Sequence, residues 1–346
     1  MRKEPGKNSE LIQILKMVAP GTDLREGLDN ILKARTGGLI VISDSPEVMK
    51  LADGGFKIDE DYSPAKIYEL AKMDGAIVLS KDAKKILLAN TQLVPDSTIP
   101  TVETGTRHRS GERVAKQTNE LVVSISQRRN IITLFKGNTR YVINESAKVL
   151  ARANQAMQTL EKYKVAFDDI ISIINEFEFD DIVTLQNVVT AIQRAELSMR
   201  VVSEVNGYII ELGDEGRLIE LQLDELSKDV EEAENLLIRD YLVEPLTAEQ
   251  IVEDISSLSR NELMDSNNIA RKLGYVNIDK ALDDIEIPSR GYRQLSKIPK
   301  TPISVIENMN KKLGDFQHII RATIDELDDV DGIGEIRAQN IKQGIK

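Results

Sequence analysis

Apolar residues fall in short blocks over the first third of the chain and in helical stripes thereafter. Gly38–Ser43, Ala76–Ser80, Ile86–Ala89, Leu121–Ser126 and Ile131–Phe135 are compact β-rich runs. Lys81–Lys84 and Gln127–Asn130 are polar links short enough for antiparallel hairpins. Between other runs the spacing predicts helices. Leu11, Ile14, Leu15 and Val18 form one stripe, and Leu24, Leu28, Ile31 and Leu32 form another. Ser63-Pro64 is a helix start, with serine as cap and proline at the first helical position. That helix would turn Ile67, Leu70 and Ala71 inward. Together these signals predict an α/β domain over residues 1–144, a mixed sheet flanked by helices.

From 145 to 287 the pattern is helical throughout, and no proline occurs between Pro100 and Pro245. Leu160, Tyr163, Phe167, Ile170, Ile171 and Ile174 keep one face for four turns. Leu218, Leu221, Leu226, Leu236 and Leu237 continue the pattern in an acidic setting. The reading is an all-α spine. The segment 288–346 is short, helical and punctuated by glycine. There Leu327 and Val330 close one helix, Gly332-Ile333-Gly334 forms a tight turn, and a second helix buries Ala338, Ile341 and Ile345.

Composition narrows the function classes. Hydrophobic residues make up 41% and charged residues 29% of the chain, ordinary for a globular protein. With no cysteine, a disulfide, a thiolate metal site or a cysteine nucleophile is excluded, which fits a reducing cytosol. Met1–Glu10 is polar and no apolar stretch follows it, so no secretory signal is expected. No apolar run approaches the roughly 18 residues of a membrane span. The net charge is −12, but it is uneven. Ser289–Lys346 holds 10 Lys+Arg against 8 Asp+Glu, a net of +2, so the rest stands at −14. A mildly basic tail on an acidic body permits nucleic-acid binding at that end.

The glycine turn suits that role. Glycine allows unusual backbone angles and leaves the N–H groups at a helix start open to a phosphate oxygen. Such contacts give affinity without reading bases. The pattern resembles the helix-hairpin-helix DNA-binding motif, with Gly332, Ile333, Gly334, Arg337 and Lys342 as candidate contacts. Upstream, Leu295–Lys300 leads into Val305, Ile306, Met309 and Leu313, and looks like a first, degenerate hairpin with Ile298-Pro299 in place of the Gly-x-Gly. Asp328, Asp329 and Asp331 lie beside the glycine turn and weaken binding, which favours recognition of DNA shape.

Two N-terminal motifs carry candidate chemistry. Asp74-Gly75-Ala76 lies between a helix and a strand, where a carboxylate can face a ligand. Gly105-Thr106-Arg107-His108-Arg109-Ser110 places two arginines just before a helix expected to begin near Ser110, which would cap it. Arginine's planar fork matches phosphate oxygens, and a helix N-terminus favours anions. No G-x-x-x-x-G-K-[ST] loop, no G-x-G-x-x-G after a strand, no H-E-x-x-H and no G-x-S-x-G elbow is present.

In combination and order, the segments resemble the diadenylate cyclase family over nearly the whole chain. Val18–Thr22 with Leu24-Arg25 resembles its opening helix region and Thr36–Ile40 its first core strand, Lys72–Ile77 and Glu103–Arg109 look like its two signature motifs, and Arg290–Arg293 with the hairpins looks like a C-terminal part. The resemblance implies condensation of two ATP molecules to cyclic di-AMP and two pyrophosphates, with Mg²⁺ or Mn²⁺. It implies that Asp74 activates the ribose 3′-hydroxyl, directly or by holding the metal. By the same resemblance Arg107, His108 and Arg109 bind phosphates, with Thr106 and Ser110 assisting, while Gly75, Ala76 and Leu93 contact the nucleotide. Two protomers would meet face to face within a homo-octamer, and branched DNA such as Holliday junctions would regulate the enzyme. Its place would be the cytoplasm, associated with the nucleoid. The chain departs from the family at Ser110-Gly111, where Thr-Ala is frequent, and it ends soon after the last hairpin, which would weaken DNA affinity. The competing expectation is a non-enzymatic DNA-junction scaffold whose N-terminal domain only oligomerises.

Overall fold

The structure is a computed structural model and describes residues 9–276 and 278–345. Contacts divide it into two compact units. One is a sheet unit that runs to Arg152 and includes Gly207–Leu218. The other is a helical unit, Ala153–Asn206 with the chain from Ile219 onward.

The sheet unit holds α1 (Ser9–Met17), α2 (Asp23–Ala34), β1 (Gly38–Ile42), α3 (Pro46–Leu51), β2 (Ala52–Asp53), β3 (Phe56–Asp61), α4 (Pro64–Leu70), β4 (Ala76–Leu79), β5 (Lys85–Leu93), α5 (Thr106–Thr118), β6 (Leu121–Ser126), β7 (Ile131–Lys136) and β8 (Thr139–Val142). The strands form one mixed sheet in the order β2-β5-β4-β1-β6-β7-β8, with β3 also on β5. Only β1 and β4 run parallel, Ile40 facing Ile77, among the pairings described. Strand side chains alternate faces. Ile40, Ile42, Ile77, Leu79, Val123 and Ile125 point to one side, packing with Leu24, Leu28 and Ile31 of α2 and Ile67 of α4. Leu39, Val41, Val78, Val122 and Phe135 point to the other, under Val48 of α3 and Val114 and Ala115 of α5. Because both faces are covered, the central runs read as continuous apolar blocks. Ser63 caps α4 through the Lys66 amide, as its Ser-Pro signal implies.

Three strands escape the sequence pattern, the two-residue β2 among them. β3 reads FKIDED and is mostly exposed, and β8 reads TRYV at the far end of the sheet. Edge strands bury little, so polar residues are tolerated and the apolar signal is lost.

The helical unit contains most of α6 (Ser146–Asp180), α7 (Leu185–Leu212) and α8 (Arg217–Tyr241), then α9 (Ala248–Ser256), α10 (Arg260–Met264), α11 (Ser266–Lys272), α12 (Tyr292–Ser296), α13 (Ile303–Leu313), α14 (Phe316–Arg321), α15 (Ile324–Asp328) and α16 (Glu335–Gly344). On α6, Leu160, Phe167 and Ile174 are buried, seven residues apart, as two helical turns require. The leucine stripe on α8 needs correction. Leu218 and Leu221 are exposed, and Ile219, Leu223, Val230 and Leu237 form the buried face. A leucine count does not show which side of a helix meets a partner.

The C-terminal helices share a core of Leu295, Ile306, Met309, Phe316, Leu327, Ala338 and Ile341, among others. α15 and α16 are joined through Gly332-Ile333-Gly334, where Gly332 is left-handed (φ 84°) and Gly334 caps α16. Between α12 and α13 the matching positions are Lys300-Thr301-Pro302. Lys300 is left-handed (φ 63°), Thr301 is buried like Ile333, and Pro302 precedes α13 as Gly334 precedes α16. The degenerate turn is therefore displaced by two residues from the expected Ile298-Pro299. Ile298 is a buried core residue, in the place of Val330.

Candidate nucleotide-binding site

α5 begins four residues earlier than its sequence suggests. Thr106 is its first residue and Gly105 its N-cap, with no side-chain cap hydrogen bond. Ser110 is thus inside the helix and caps nothing. The change is consequential, because residues on a helix are rotated by about 100° from one to the next. Arg107, His108 and Arg109 therefore cannot share one face.

Arg107 turns towards the Asp74 loop, and its Nη2 lies 3.4 Å from Asp74 Oδ1. His108 turns inward. It is buried, its Nδ1 is 3.0 Å from the Ser124 Oγ on β6, and its ring meets the edge of Phe135. Burial holds its pKa below the ordinary histidine value, although Glu103 works in the opposite sense. The imidazole is neutral at neutral pH and closed off from solvent, so direct phosphate contact by His108 is not supported. Arg109 is exposed on a third side and does not line the cavity.

The cavity itself is open and measures about 800 Å³. It lies where the N-terminal ends of β1 and β4 meet the C-terminal end of the antiparallel β5 and the first turn of α5. Asp74, Gly75 and Ala76 line it with Leu93, and α5 contributes Thr106, Arg107 and Ser110. Seven of the residues anticipated from sequence are thereby brought to one place. Leu39, Asp53, Gly54 and Gln92 also line it and were not anticipated. Leu39 lies on β1, Asp53 ends β2 before the Gly54 turn, and Gln92 is on β5; none of them was singled out as a contact residue. Asp53-Gly54 does carry a turn signal, but nothing in one sequence links it to Asp74.

Gly75 has a structural reason as well as any role towards a ligand. Its φ is 96°, and an added Cβ would lie 2.8 Å from the Asn90 carbonyl carbon and 2.9 Å from the Thr91 oxygen. The Asp74 loop can rest against β5 only with glycine there.

Beside α5, Glu103 forms a second ionic cluster. Its carboxylate is buried and pairs with Arg140 Nε at 2.6 Å and Arg129 Nη1 at 3.5 Å. Glu103 opens a segment that the sequence had singled out, but Arg129, Arg140 and the pairing were missed, because the partners lie far along the chain.

At the C-terminus the anticipated DNA contacts divide. Gly332 and Gly334 are exposed, while Ile333 is a core residue. Arg337 donates to the Gly332 carbonyl and Lys342 to the Ile320 carbonyl at 2.6 Å, so both cations are engaged with backbone.

An α/β domain with an open cavity that gathers an aspartate, a glycine loop and an arginine from a helix start, followed by long helices, defines a class: a nucleotide-binding domain joined to a helical linker. Comparison with known families agrees. Residues 25–140 match the model described as "DisA bacterial checkpoint controller nucleotide-binding". Residues 143–282 match "DisA bacterial checkpoint controller linker region". The DNA integrity scanning protein DisA of Clostridium botulinum is 55% identical over 340 residues, which cover 98% of this chain and 96% of that protein. The protein of the same name from Acetivibrio thermocellus is 57% identical over 341 residues, covering 98% and 94%. The chain belongs to the DNA integrity scanning protein DisA family. No helix among the described residues is long and apolar enough to cross a membrane.

Proposed function

We propose that this chain is a diadenylate cyclase that condenses two ATP molecules into cyclic di-AMP and two pyrophosphates. The observation that carries the reading is the Asp74–Arg107 juxtaposition at 3.4 Å across a cavity of nucleotide size. Membership of a family whose model is nucleotide-binding supports it.

Phosphoryl-type transfer depends on alignment and charge neutralisation more than on covalent help from protein. Arg107 supplies a planar donor set for phosphate oxygens. Thr106 and Ser110 add hydroxyls, and the uncapped amides at the start of α5 add donors. Leu39 and Leu93 give an apolar surface for a base. Asp74 accepts the proton of the attacking 3′-hydroxyl or orients that hydroxyl.

The donor set also fits a divalent cation of the magnesium type. The described residues contain no cluster of three or more His, Cys, Asp or Glu able to hold a metal alone. Mg²⁺ is commonly held by one or two carboxylates together with substrate phosphates. Asp74, its side chain entirely exposed, would hold the Mg²⁺ or Mn²⁺. When bound, the ion would neutralise phosphate charge.

One cavity holds one nucleotide, and cyclising two requires a second site, so a face-to-face homo-oligomer, an octamer by resemblance, is part of this reading. The last segment, 288–346, serves as a helix-hairpin-helix domain for branched or damaged DNA, with the helices of 145–287 as spine. Gly334 supports that role. Its φ of −114° is available to any residue, and an added Cβ would meet nothing within 4 Å. The free fold does not need glycine there, whereas close approach of a phosphate does. A cytoplasmic, nucleoid-associated protein follows from this function.

Incubation of the full chain with ATP and Mg²⁺ or Mn²⁺, followed by chromatography, tests the proposal. Cyclic di-AMP is the expected product. Its absence from folded, oligomeric protein would leave the junction-binding scaffold as the better reading. Adding a four-way DNA junction to the same assay tests the regulatory part, for which inhibition is expected.

A further inference from the structure

Between β5 and α5 the chain runs from the β5 part of the sheet towards β6 and β7, on which α5 packs. Most of that stretch is tied to α5 itself. Arg113 donates to the Ile99 carbonyl at 2.9 Å, Lys116 donates to the Pro100 carbonyl at 2.8 Å, and the Thr101 hydroxyl donates to the Glu112 carboxylate. These contacts hold the loop to the helix but not the helix start to the sheet.

His108 makes one such connection through Ser124 on β6, and Glu103 and Thr104 make a second, just ahead of the helix. The Glu103 side chain is 4% exposed. It accepts from Arg140 on β8 and from Arg129 in the β6–β7 turn, and Arg129 Nη2 also donates to Thr104 Oγ1 at 3.0 Å. A buried carboxylate is unfavourable unless charge and hydrogen bonds complete it. Two guanidinium groups from the opposite edge of the sheet do so here. The next two residues are Gly105, which caps α5 without a side chain, and Thr106, which lines the cavity.

We propose that Glu103 is a positioning residue for the nucleotide site: it clamps the start of α5 to the β6–β7–β8 edge and so sets where Thr106 and Arg107 meet phosphate. It touches no substrate itself. The inference rests on the nucleotide reading above, and adds a residue outside the cavity on which that site depends. A contact that holds the phosphate-binding turn acts on ground state and transition state alike. Its loss therefore appears in KM more than in kcat.

The test uses the full chain and three variants, Glu103→Gln, Glu103→Asp and Arg140→Lys. ATP affinity is read by calorimetry, KM and kcat by cyclic di-AMP formation, and loop order by hydrogen exchange of the Thr101–Arg107 segment. For Glu103→Gln, Kd and KM for ATP should rise about tenfold while kcat stays within about threefold. Exchange in the segment should accelerate about tenfold. Glu103→Asp, which keeps the charge on a shorter arm, and Arg140→Lys, which keeps the charge without the planar fork, should shift the same quantities by about threefold. They also carry the test should the glutamine variant fail to fold. Wild-type KM together with unchanged exchange in the variants would overturn the proposal. A fall in kcat at constant KM would overturn it too, moving Glu103 into the chemical step. Failure of the wild-type protein to bind ATP would remove the nucleotide reading, and the exchange data would still decide whether Glu103 orders the loop.

Discussion

Arg107 meets Asp74 at 3.4 Å with the carboxylate wholly in solvent, whereas Arg293 meets Glu178 at 2.6 Å and Asp240 at 3.0 Å with both carboxylates sealed. The first pair is screened by water, long for an ion pair, and contributes little to folding. It is therefore free to part when a charged ligand arrives. The second lies at the junction of α6, α8 and α12 within the helical unit. Its carboxylates are completed by many donors. Tyr241 donates to Glu178 at 2.6 Å and Gln294 at 2.9 Å, and the Tyr292 and Arg293 amides are capped by Asp240. Arg293 Nη1 is buried without a partner. One arrangement is open and unfinished, as a site for a ligand must be. The other is closed and nearly finished, as a structural joint must be. The same residue types serve both, and water access decides which.

That contrast can be broken experimentally. The largest effect is expected from Arg293→Met, which would leave two buried carboxylates without their cation and reduce the stability of the helical unit by about 3–5 kcal/mol. Urea denaturation followed by circular dichroism measures it. A loss below about 1 kcal/mol would show that the two carboxylates do not depend on the Arg293 cation. Asp74→Asn comes next and acts in the opposite way, lowering cyclic di-AMP formation by about a hundredfold or more at unchanged melting temperature. Activity near wild type would remove Asp74 from the mechanism. Gly334→Leu should weaken binding to a four-way junction about tenfold, since the backbone can no longer approach a phosphate. Its melting temperature and basal cyclase rate should not change, because the position is open in the free fold. Unchanged junction affinity in a fluorescence anisotropy titration would place the DNA contacts elsewhere.

The smallest effect is a slope with pH. Burial first, and Glu178 second, push the Asp240 carboxyl up from 3.8 to about 7, against the pull of Arg293. An acid with a raised folded-state pKa stabilises the fold most when protonated. Its contribution is complete below the unfolded value and is lost as pH rises through the folded one. Stability of the helical unit should thus fall between about pH 4 and 7 through this group. The fall should be shallower in Asp240→Asn. Equal slopes in the two proteins would show that another group dominates the titration.

The sequence was most legible where burial is two-sided or where a local rule applies. β1, β4, β6 and β7 stand where the apolar blocks lie, and Ser63-Pro64 starts α4 as such pairs do. Leu327, Val330, Ala338 and Ile341 pack around the glycine turn as their spacing implies. It was least legible at edges and boundaries. β3 and β8 have little apolar content, and the start of α5 at Thr106 was not legible because a glycine N-cap offers no side-chain cap to mark it. That shift divided the Arg107-His108-Arg109 cluster among three directions. The pairing of Glu103 was out of reach because its partners lie 26 and 37 residues away.

The sequence alone determined the order of sheet, long helices and glycine hairpin, since periodicity and turn chemistry are local properties of the chain. It also determined which residue types were available for phosphate. The tertiary structure decided which of them face one cavity. Leu93, Asp74 and Arg107 meet only because antiparallel pairing of β4 with β5 brings the end of one strand beside the start of the other, while α5, packed on β1, β6 and β7, points its first turn at that place. The tertiary structure also decided which charged groups are dry, because exclusion of water is a property of packed surfaces and not of any segment by itself.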